Sequence, residues 1–323
     1  MKVFVTGGTG FIGSHLVDRL LAEPDHEIRC LVRAHNKWLI NKDLKFFKGS
    51  LQDLSALHEG INGADIVYHI AGVVKAPDQD FFDAANVDAT ENVLRMAMKH
   101  KVPKVVILSS LAACGPSPDN PLTEEDPLKP VTMYGESKKR MEEMVSGVVN
   151  DSVSVTIIRP PAVYGPREEQ IFRVFQMASW RVFPIIGDGT SSRLSLIHVN
   201  DLVDGILLAA SEKKPGVETY FISSEDLYTW DEIRLATRYA MGKKIYPLKF
   251  KPEFVQFAGN ISEKIASLIG RYPVINREKS RELGLQWICS VDKAKARLGF
   301  RQRTGLKDGL VQTIAWYKNH NWL

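Results

Sequence analysis

The sequence predicts an α/β fold: a Rossmann-type doubly wound parallel sheet with a smaller, mainly helical C-terminal substrate lobe. Three observations lead there. The glycine-rich stretch TGGTGFIGSHL, residues 6–16, stands directly behind a short apolar run. Nearly continuous apolar runs then alternate with helical patterns through the first half of the chain, as strands buried on both faces do. Such alternation implies right-handed crossovers and parallel strands, with ligands bound at the carboxyl ends of the strands.

The elements follow in order. Residues 2–6 form the first strand. Gly7 and Gly8 permit a tight turn with backbone angles closed to other residues. Gly10 lets the backbone approach a pyrophosphate. Phe11 and Ile12 open a helix over 11–22, whose free N–H groups and positive dipole end face the phosphates. Gly13 lets that helix pack close to the strand. The spacings Gly8-x-Gly10-x-x-Gly13 and Gly7-x-x-Gly10-x-x-Gly13 coexist. In this strand–turn–helix setting they predict a bound dinucleotide.

The second strand covers 28–33. NAD sites usually place an acid near its end, about twenty residues beyond the glycines, for the ribose 2′-hydroxyl. This chain has Arg33, followed by Ala34-His35-Asn36-Lys37. An arginine holds a 2′-phosphate bidentately and stacks on adenine. NADP(H) is therefore favoured and NAD remains possible. A third strand, 44–48, leads to Asp53, a helix N-cap before Leu54 and the helix 54–59. Strand 65–70, helix 81–101, strand 104–109, helix 132–149 and strand 153–159 continue the pattern, until Pro160-Pro161 stops it.

Beyond residue 159 the regularity loosens. An apolar patch at 180–186 precedes the turn Gly187-Asp188-Gly189. Residues 194–198 and 201–210 read as a strand and helix that return to the sheet, and 218–222 as another strand. From Tyr228 the pattern is mainly helical. The division is residues 1–165 and 194–222 for the cofactor, and 166–193 and 223–323 for the substrate. Residues 254–269 carry a broad apolar helical face. It reads as core packing in preference to a membrane-surface helix, because its opposite face is not strongly basic.

Composition sets limits. A chain of 323 residues is ample for a substantial core. Its 44% hydrophobic and 25% charged content is ordinary for a globular protein. The net charge of +4 comes without a long basic run, so nothing points to nucleic acid as a partner. Cys30, Cys114 and Cys289 are scattered, with no CxxC pair. Neither a metal site nor a disulfide framework is expected, and a reducing, cytoplasmic location fits. No apolar run is long enough for a membrane span. A signal peptide is excluded if Lys2 already begins the first core strand.

The chemistry is carried by Tyr134-Gly-Glu-Ser-Lys138. Four residues make about one helical turn, so Tyr134 and Lys138 share a face. A free tyrosine has a pKa of about 10, too high for an efficient base near neutrality. The nearby ammonium is expected to favour the phenolate and lower that value. Ser109 and Ser110 end the strand 104–109. Ser110 can donate a hydrogen bond to a substrate carbonyl or alkoxide while Tyr134 exchanges the proton.

With these residues in place the chain resembles the extended short-chain dehydrogenase/reductase family. That family includes nucleotide-sugar epimerases, dihydroflavonol-reductase-like and 3β-hydroxysteroid-dehydrogenase-like enzymes. TGGTGFIG, HIAG (69–72), NVDAT (86–90), SSLAACG (109–115), YGESK and RPPAVYGP (159–166) stand in the family's order and spacing. So does LSLIHVNDLVDGI (194–206), and the resemblance covers essentially the whole chain. It implies that Ser110, with Ser109 as the fallback, acts with Tyr134 and Lys138. Cys114 replaces the family's usual tyrosine; a small buried thiol is the favoured reading over a reactive one. Asp53 matches the acid that bonds the adenine. Ala71, Gly72 and Val73 match the ribose and nicotinamide side, Asn86 a position near the cofactor, and Pro160 and Val163 nicotinamide contacts. It also implies a homodimer built on helices 81–101 and 132–149, with Met96, Met133, Met141 and Met144 as possible interface or core.

The leading expectation is an NADP(H)-dependent oxidoreductase acting on a small-molecule secondary alcohol or its ketone. Family 4,6-dehydratases resemble one another in a Thr-Asp-Glu set after the strand, where this chain has Ser110-Leu111-Ala112. The alternative is a nucleotide-sugar epimerase that retains its cofactor, with Arg167, Arg173, Arg181 and Arg193 as diphosphate ligands. A remote alternative is a non-catalytic NADP(H)-binding redox sensor.

Overall fold

The computed structural model describes residues 1–150, 152–255, 282 and 284–323. The apolar face at 254–269 lies outside the described residues from 256 onward. Strand β1 (Lys2–Thr6) sits inside a seven-stranded sheet. On one side of it lie β2 (Glu27–Val32) and β3 (Lys45–Lys48). On the other lie β4 (Ile66–His69), β5 (Lys104–Leu108), β6 (Ser154–Arg159) and β10 (Gly216–Phe221). Every pairing is parallel. The strand order reverses between β1 and β4, which opens a crevice at their carboxyl ends.

Period-two alternation divides the strand side chains between two cores. Val3 and Val5 of β1 enter one core with Leu16 and Leu20 of α1 (Phe11–Leu21) and Leu202 and Ile206 of α7 (Val199–Ala210). Phe4, between them, enters the other. There it meets Leu57 of α2 (Leu54–Ile61), Leu94 of α4 (Ala89–Lys99) and Met141 of α5 (Met133–Val148). Met141 is a core residue; Met96 and Met144 pack on the same core while partly buried.

Three readings are corrected. The helix expected over 81–101 is α3 (Gln79–Asp83), one wide π turn at Ala84–Asp88, and then α4. The second correction concerns 194–198, which do not return to the main sheet. As β9 (Arg193–His198) they pair with β7 (Ala162–Tyr164) and with β11 (Leu227–Thr229) in a separate three-stranded sheet. Thirdly, the C-terminal part contains a strand that the pattern did not indicate. A second small sheet pairs β8 (Val182–Ile186) with β12 (Tyr246–Phe250). Pro247 hid β12, and proline is tolerated there because β12 is an edge strand.

The lobe core gathers Phe175 of α6 (Phe172–Ser179), Phe183, Ile233 of α8 (Trp230–Met241), and Leu310, Ile314 and Tyr317 of α10 (Leu306–Asn319). The short α9 (Asp292–Leu298) instead places Ala294 against the main sheet's core. Among the described residues no helix is long and apolar enough to cross a membrane.

Candidate active site

The glycine turn is shaped by contact distances. Gly7 adopts φ +74°, and a Cβ on it would lie 2.6 Å from the Ala71 nitrogen. A Cβ on Gly13 would lie 2.1 Å from the Gly7 carbonyl oxygen, so α1 can start this close only with glycine there. Gly10 N-caps α1 and is exposed; its N–H donates to Gly7 O at 2.9 Å. Phe11 and Ile12 form a first turn with no acid in it. Backbone donors, a positive helix end and space for close approach fit a pyrophosphate. Gly8 departs from expectation. Its φ is not in the left-handed region, and it is small because Cys30 Sγ and Val17 stand 3.3 and 3.4 Å from where its Cβ would be.

On the adenosine side, Asp53 caps α2, accepting from the Ser55 and Ala56 N–H groups at 3.1 Å each. Leu54 beside it is 49% exposed and available to a planar base. Arg33 is exposed at the end of β2, and no acid pairs with it among the described residues. The four arginines proposed for a diphosphate do not act alike. Arg167 is committed to Asp18 at 2.7 Å and to Ser14 Oγ at 3.0 Å, and lies over the Trp38 ring. Arg173, Arg181 and Arg193 are exposed.

The centre assembles where β5 ends. Ser110 caps a short turn, Leu111–Ala113, its Oγ accepting from the Ala112 N–H at 3.1 Å. Thr132 caps α5, its hydroxyl oxygen accepting from the Gly135 N–H at 3.0 Å. A Cβ on Gly135 would lie 2.4 Å from Ala112 O. The glycine beside Tyr134 thus lets α5 rest on the serine turn, and the Ser110 hydroxyl hydrogen-bonds Tyr134. Phe82 supports the tyrosine ring at 6.1 Å.

Lys138 lies one turn along α5 and is buried. Its ammonium donates to the Leu108 carbonyl at 2.9 Å. Burial holds its pKa down to about 8, with Glu142 opposing. The expected lowering of the tyrosine pKa is not what this geometry gives. Burial pushes Tyr134 up to about 12; the hydrogen bond from Ser110 only partly offsets it, and Glu282 adds to the rise. The phenol therefore keeps its proton at neutral pH.

Ser109 and Ser110 face opposite ways. Ser109 is buried and its Oγ donates to Glu142, which is clamped by Arg159 through Nε and Nη2 at 2.6–3.1 Å. This network was not foreseen, although Glu142 stands four residues past Lys138, on the same helix face. Asn86, in the wide turn before α4, grips Val73 on both sides: Oδ1 accepts its N–H at 2.8 Å and Nδ2 donates to its C=O at 3.0 Å. Nδ2 also reaches Ser137 Oγ at 2.9 Å. A Cβ on Gly72 would press on both Asn86 Oδ1 and Lys138 Nζ at 3.2 Å. Below Ala71, the buried His69 ring is bonded to Thr6 and Thr90 at 2.7 and 2.9 Å, and burial holds it neutral, with a pKa of about 3. Pro160 accepts from the Leu111 N–H at 2.9 Å, and Val163 lies half-buried in β7. Burial pushes the Cys114 thiol up to about 12, which removes it from thiolate chemistry.

Residues 3–223 match the NAD dependent epimerase/dehydratase family. A ceramide reductase of Caulobacter vibrioides is 30% identical over 99% of this chain and 96% of its own. A decarboxylating sterol-4-alpha-carboxylate 3-dehydrogenase of Saccharomyces cerevisiae is 27% identical over 98% of this chain and 97% of its own. Among solved structures, the dTDP-glucose 4,6-dehydratase DesIV of Streptomyces venezuelae, with NAD bound, superposes with a TM-score of 0.79. It is 24% identical, covering 100% of this chain and 98% of that one.

Proposed function

We propose that this chain, which belongs to the NAD dependent epimerase/dehydratase family, is within it an NADP(H)-dependent reductase of an apolar ketone. The observation that carries this reading is the protonated Tyr134 hydroxyl held against Ser110. A nicotinamide held there would supply the hydride for the carbonyl carbon. Tyr134 gives its proton to the carbonyl oxygen as the C=O bond becomes C–OH, and Ser110 donates a second hydrogen bond to that oxygen. Lys138 and Asn86, with Gly72 and Val73 between them, hold the ribose and nicotinamide side. Asp53 and Leu54 take the adenine, Gly7, Gly10, Phe11, Ile12 and Gly13 the pyrophosphate, and Arg33 the 2′-phosphate. Pro160 and Val163 line the ring.

The turn after Ser110 favours reduction over dehydration. It carries buried Leu111 and Ala112, with no acid to take a second proton. The relatives named above for ceramide and sterol substrates support an apolar ketone, bound by residues 166–193 and 223–323. Nucleotide-sugar epimerisation is the second reading, favoured by the family's name. We also propose a homodimer through α3–α4 and α5; a monomer by light scattering overturns that part.

Mass spectrometry of the cofactor released from freshly purified protein, with fluorescence titration of NADPH against NADH on empty enzyme, tests the reading. An empty site preferring NADPH supports an exchanging reductase. Tightly retained NAD moves the assignment to an epimerase.

A further inference from the structure

Far from the glycine turn, the outer edge of the C-terminal lobe carries an unusual surface. Helix α8 ends at Gly242 in the left-handed conformation, and the chain continues as KKIYPLKFKPEF, residues 243–254. Strand β12 within it is exposed at four of its five residues. Tyr246 and Leu248 are 59% and 42% exposed on one side of the strand. Phe250 continues that side, and its ring stacks on Phe254, which is 57% exposed, with centroids 6.2 Å apart. The Tyr246 N–H donates to Arg181 O at 2.9 Å, which brings Trp180, 67% exposed, to the head of the same strand. Trp180, Tyr246 and Phe254 are thus large exposed aromatic side chains gathered along β12 and the end of the helix before β8.

Cations flank them along the edge, Lys249 on the opposite side of β12 from Tyr246 and Leu248. Arg181, Lys244, Lys249 and Lys251 are exposed, and among the described residues none of them is paired with an acid. The Lys249 ammonium donates to a carbonyl, Asp188 O, at 2.6 Å. Among the described residues nearby, Asp188 turns its carboxylate onto the Thr190 and Ser191 N–H groups, and Asp231 is bonded to Arg234.

Three arguments select the occupant of this surface. Tryptophan and tyrosine settle at the headgroup level of a bilayer, with lysine stems extending along apolar surface toward phosphates. Protein–protein interfaces are depleted in lysine at their centres. Pairing of β12 with a strand of another molecule is discouraged by Pro247 and Lys249, residues that blunt an edge. We infer that the β8–β12 edge, with Trp180, Tyr246, Leu248 and Phe254 beside the exposed cations Arg181, Lys244, Lys249 and Lys251, docks this protein on an anionic lipid bilayer. The inference does not depend on the reductase reading, since docking is measured without turnover.

Sedimentation of the full-length chain with phosphatidylcholine vesicles containing about 30% phosphatidylglycerol, against pure phosphatidylcholine, tests it. Binding is expected on the anionic vesicles, weakening as salt rises from about 0.1 M to about 0.5 M. Each juxtamembrane lysine contributes roughly fivefold, so Lys244→Glu, Lys249→Glu and Lys251→Glu together should cut partitioning about a hundredfold or more. Trp180→Ala should cut it about tenfold. Lys99→Glu with Lys213→Glu, on the cofactor domain, changes charge elsewhere and should lose far less. Unaltered circular dichroism and melting temperature show that the variants fold. No binding to anionic vesicles overturns the inference, and so does equal loss in the control variant. Self-association abolished by the same lysine substitutions, without vesicle binding, assigns the patch to a second copy and also overturns it.

Discussion

The glycine turn and the Ser110–Tyr134–Lys138 centre are built by different physics. The turn is a matter of distance: Gly7 and Gly13 are fixed because a Cβ would fall 2.6 and 2.1 Å from backbone atoms. No titratable side chain takes part. The centre is a matter of burial, where an ammonium, a phenol and a carboxylate–guanidinium pair lie along one face of α5 and two strand ends. A region set by sterics can be read from residue types, because only glycine fits. One set by burial cannot, because pKa values and hydrogen-bond partners depend on which neighbours the fold delivers.

The sharpest way to separate the two is Tyr134→Phe. It removes the proton donor and leaves the turn intact. Steady-state turnover should fall about 10³-fold, with NADPH affinity by fluorescence titration unchanged. Unchanged turnover would remove Tyr134 from its role. A redox sensor, in contrast, would keep its output in this variant.

That contrast also explains what was legible. The parallel sheet, the turn and the capping Asp53 followed from apolar runs, glycines and an Asp before a helix. Ser109 and Ser110 did not separate, since adjacent residues of one type differ only in which way the strand end points them. The fold turns Ser109 to Glu142 and Ser110 to Tyr134. The direction of the Tyr134 shift was likewise hidden. An i,i+4 lysine reads as a helper of the phenolate, but here its ammonium is taken by Leu108 O and burial dominates. Strand β12 was masked by its own proline.

Next in size is Glu142→Gln. Breaking a buried ion pair leaves Arg159 uncompensated, at a cost of about 3 kcal/mol in denaturant unfolding. Equal stability would show that the Arg159 charge finds another partner. The glycine turn offers no counterpart: it contains no buried charge to strand.

The pH profile sharpens the comparison further, because only the centre titrates. Lys138 loses its proton at about 8, well below the ordinary 10.5. The folded chain thus binds fewer protons than the unfolded chain between those values. Stability should therefore rise with pH across that window, and the burial cost is fully present below about 8. If the ammonium form holds the ribose, kcat/KM should break downward above pH 8, the pKa reporting the free enzyme. Glu142→Gln removes the charge that supports the ammonium, so the break should move to lower pH. A profile flat through pH 9 would exclude an essential Lys138 ammonium.

The smallest effect is expected at the far end of the turn, where Arg33 is exposed and one charge is added to a site already formed by backbone. Arg33→Ser should weaken NADPH about tenfold and leave NADH nearly unchanged, since an exposed guanidinium–phosphate contact is worth about 1–2 kcal/mol. Raising salt should narrow the same gap in the unaltered chain, because the contact is screened. Equal loss for both cofactors would mean that Arg33 stacks on adenine, a base the two share, and discrimination would then have to come from elsewhere on the rim of β2. On the proposed reading, sterics at Gly7 and Gly13 set the place for the dinucleotide while a solvent-facing charge sets only which one, and for that reason the choice between them would be the easiest property of this site to change.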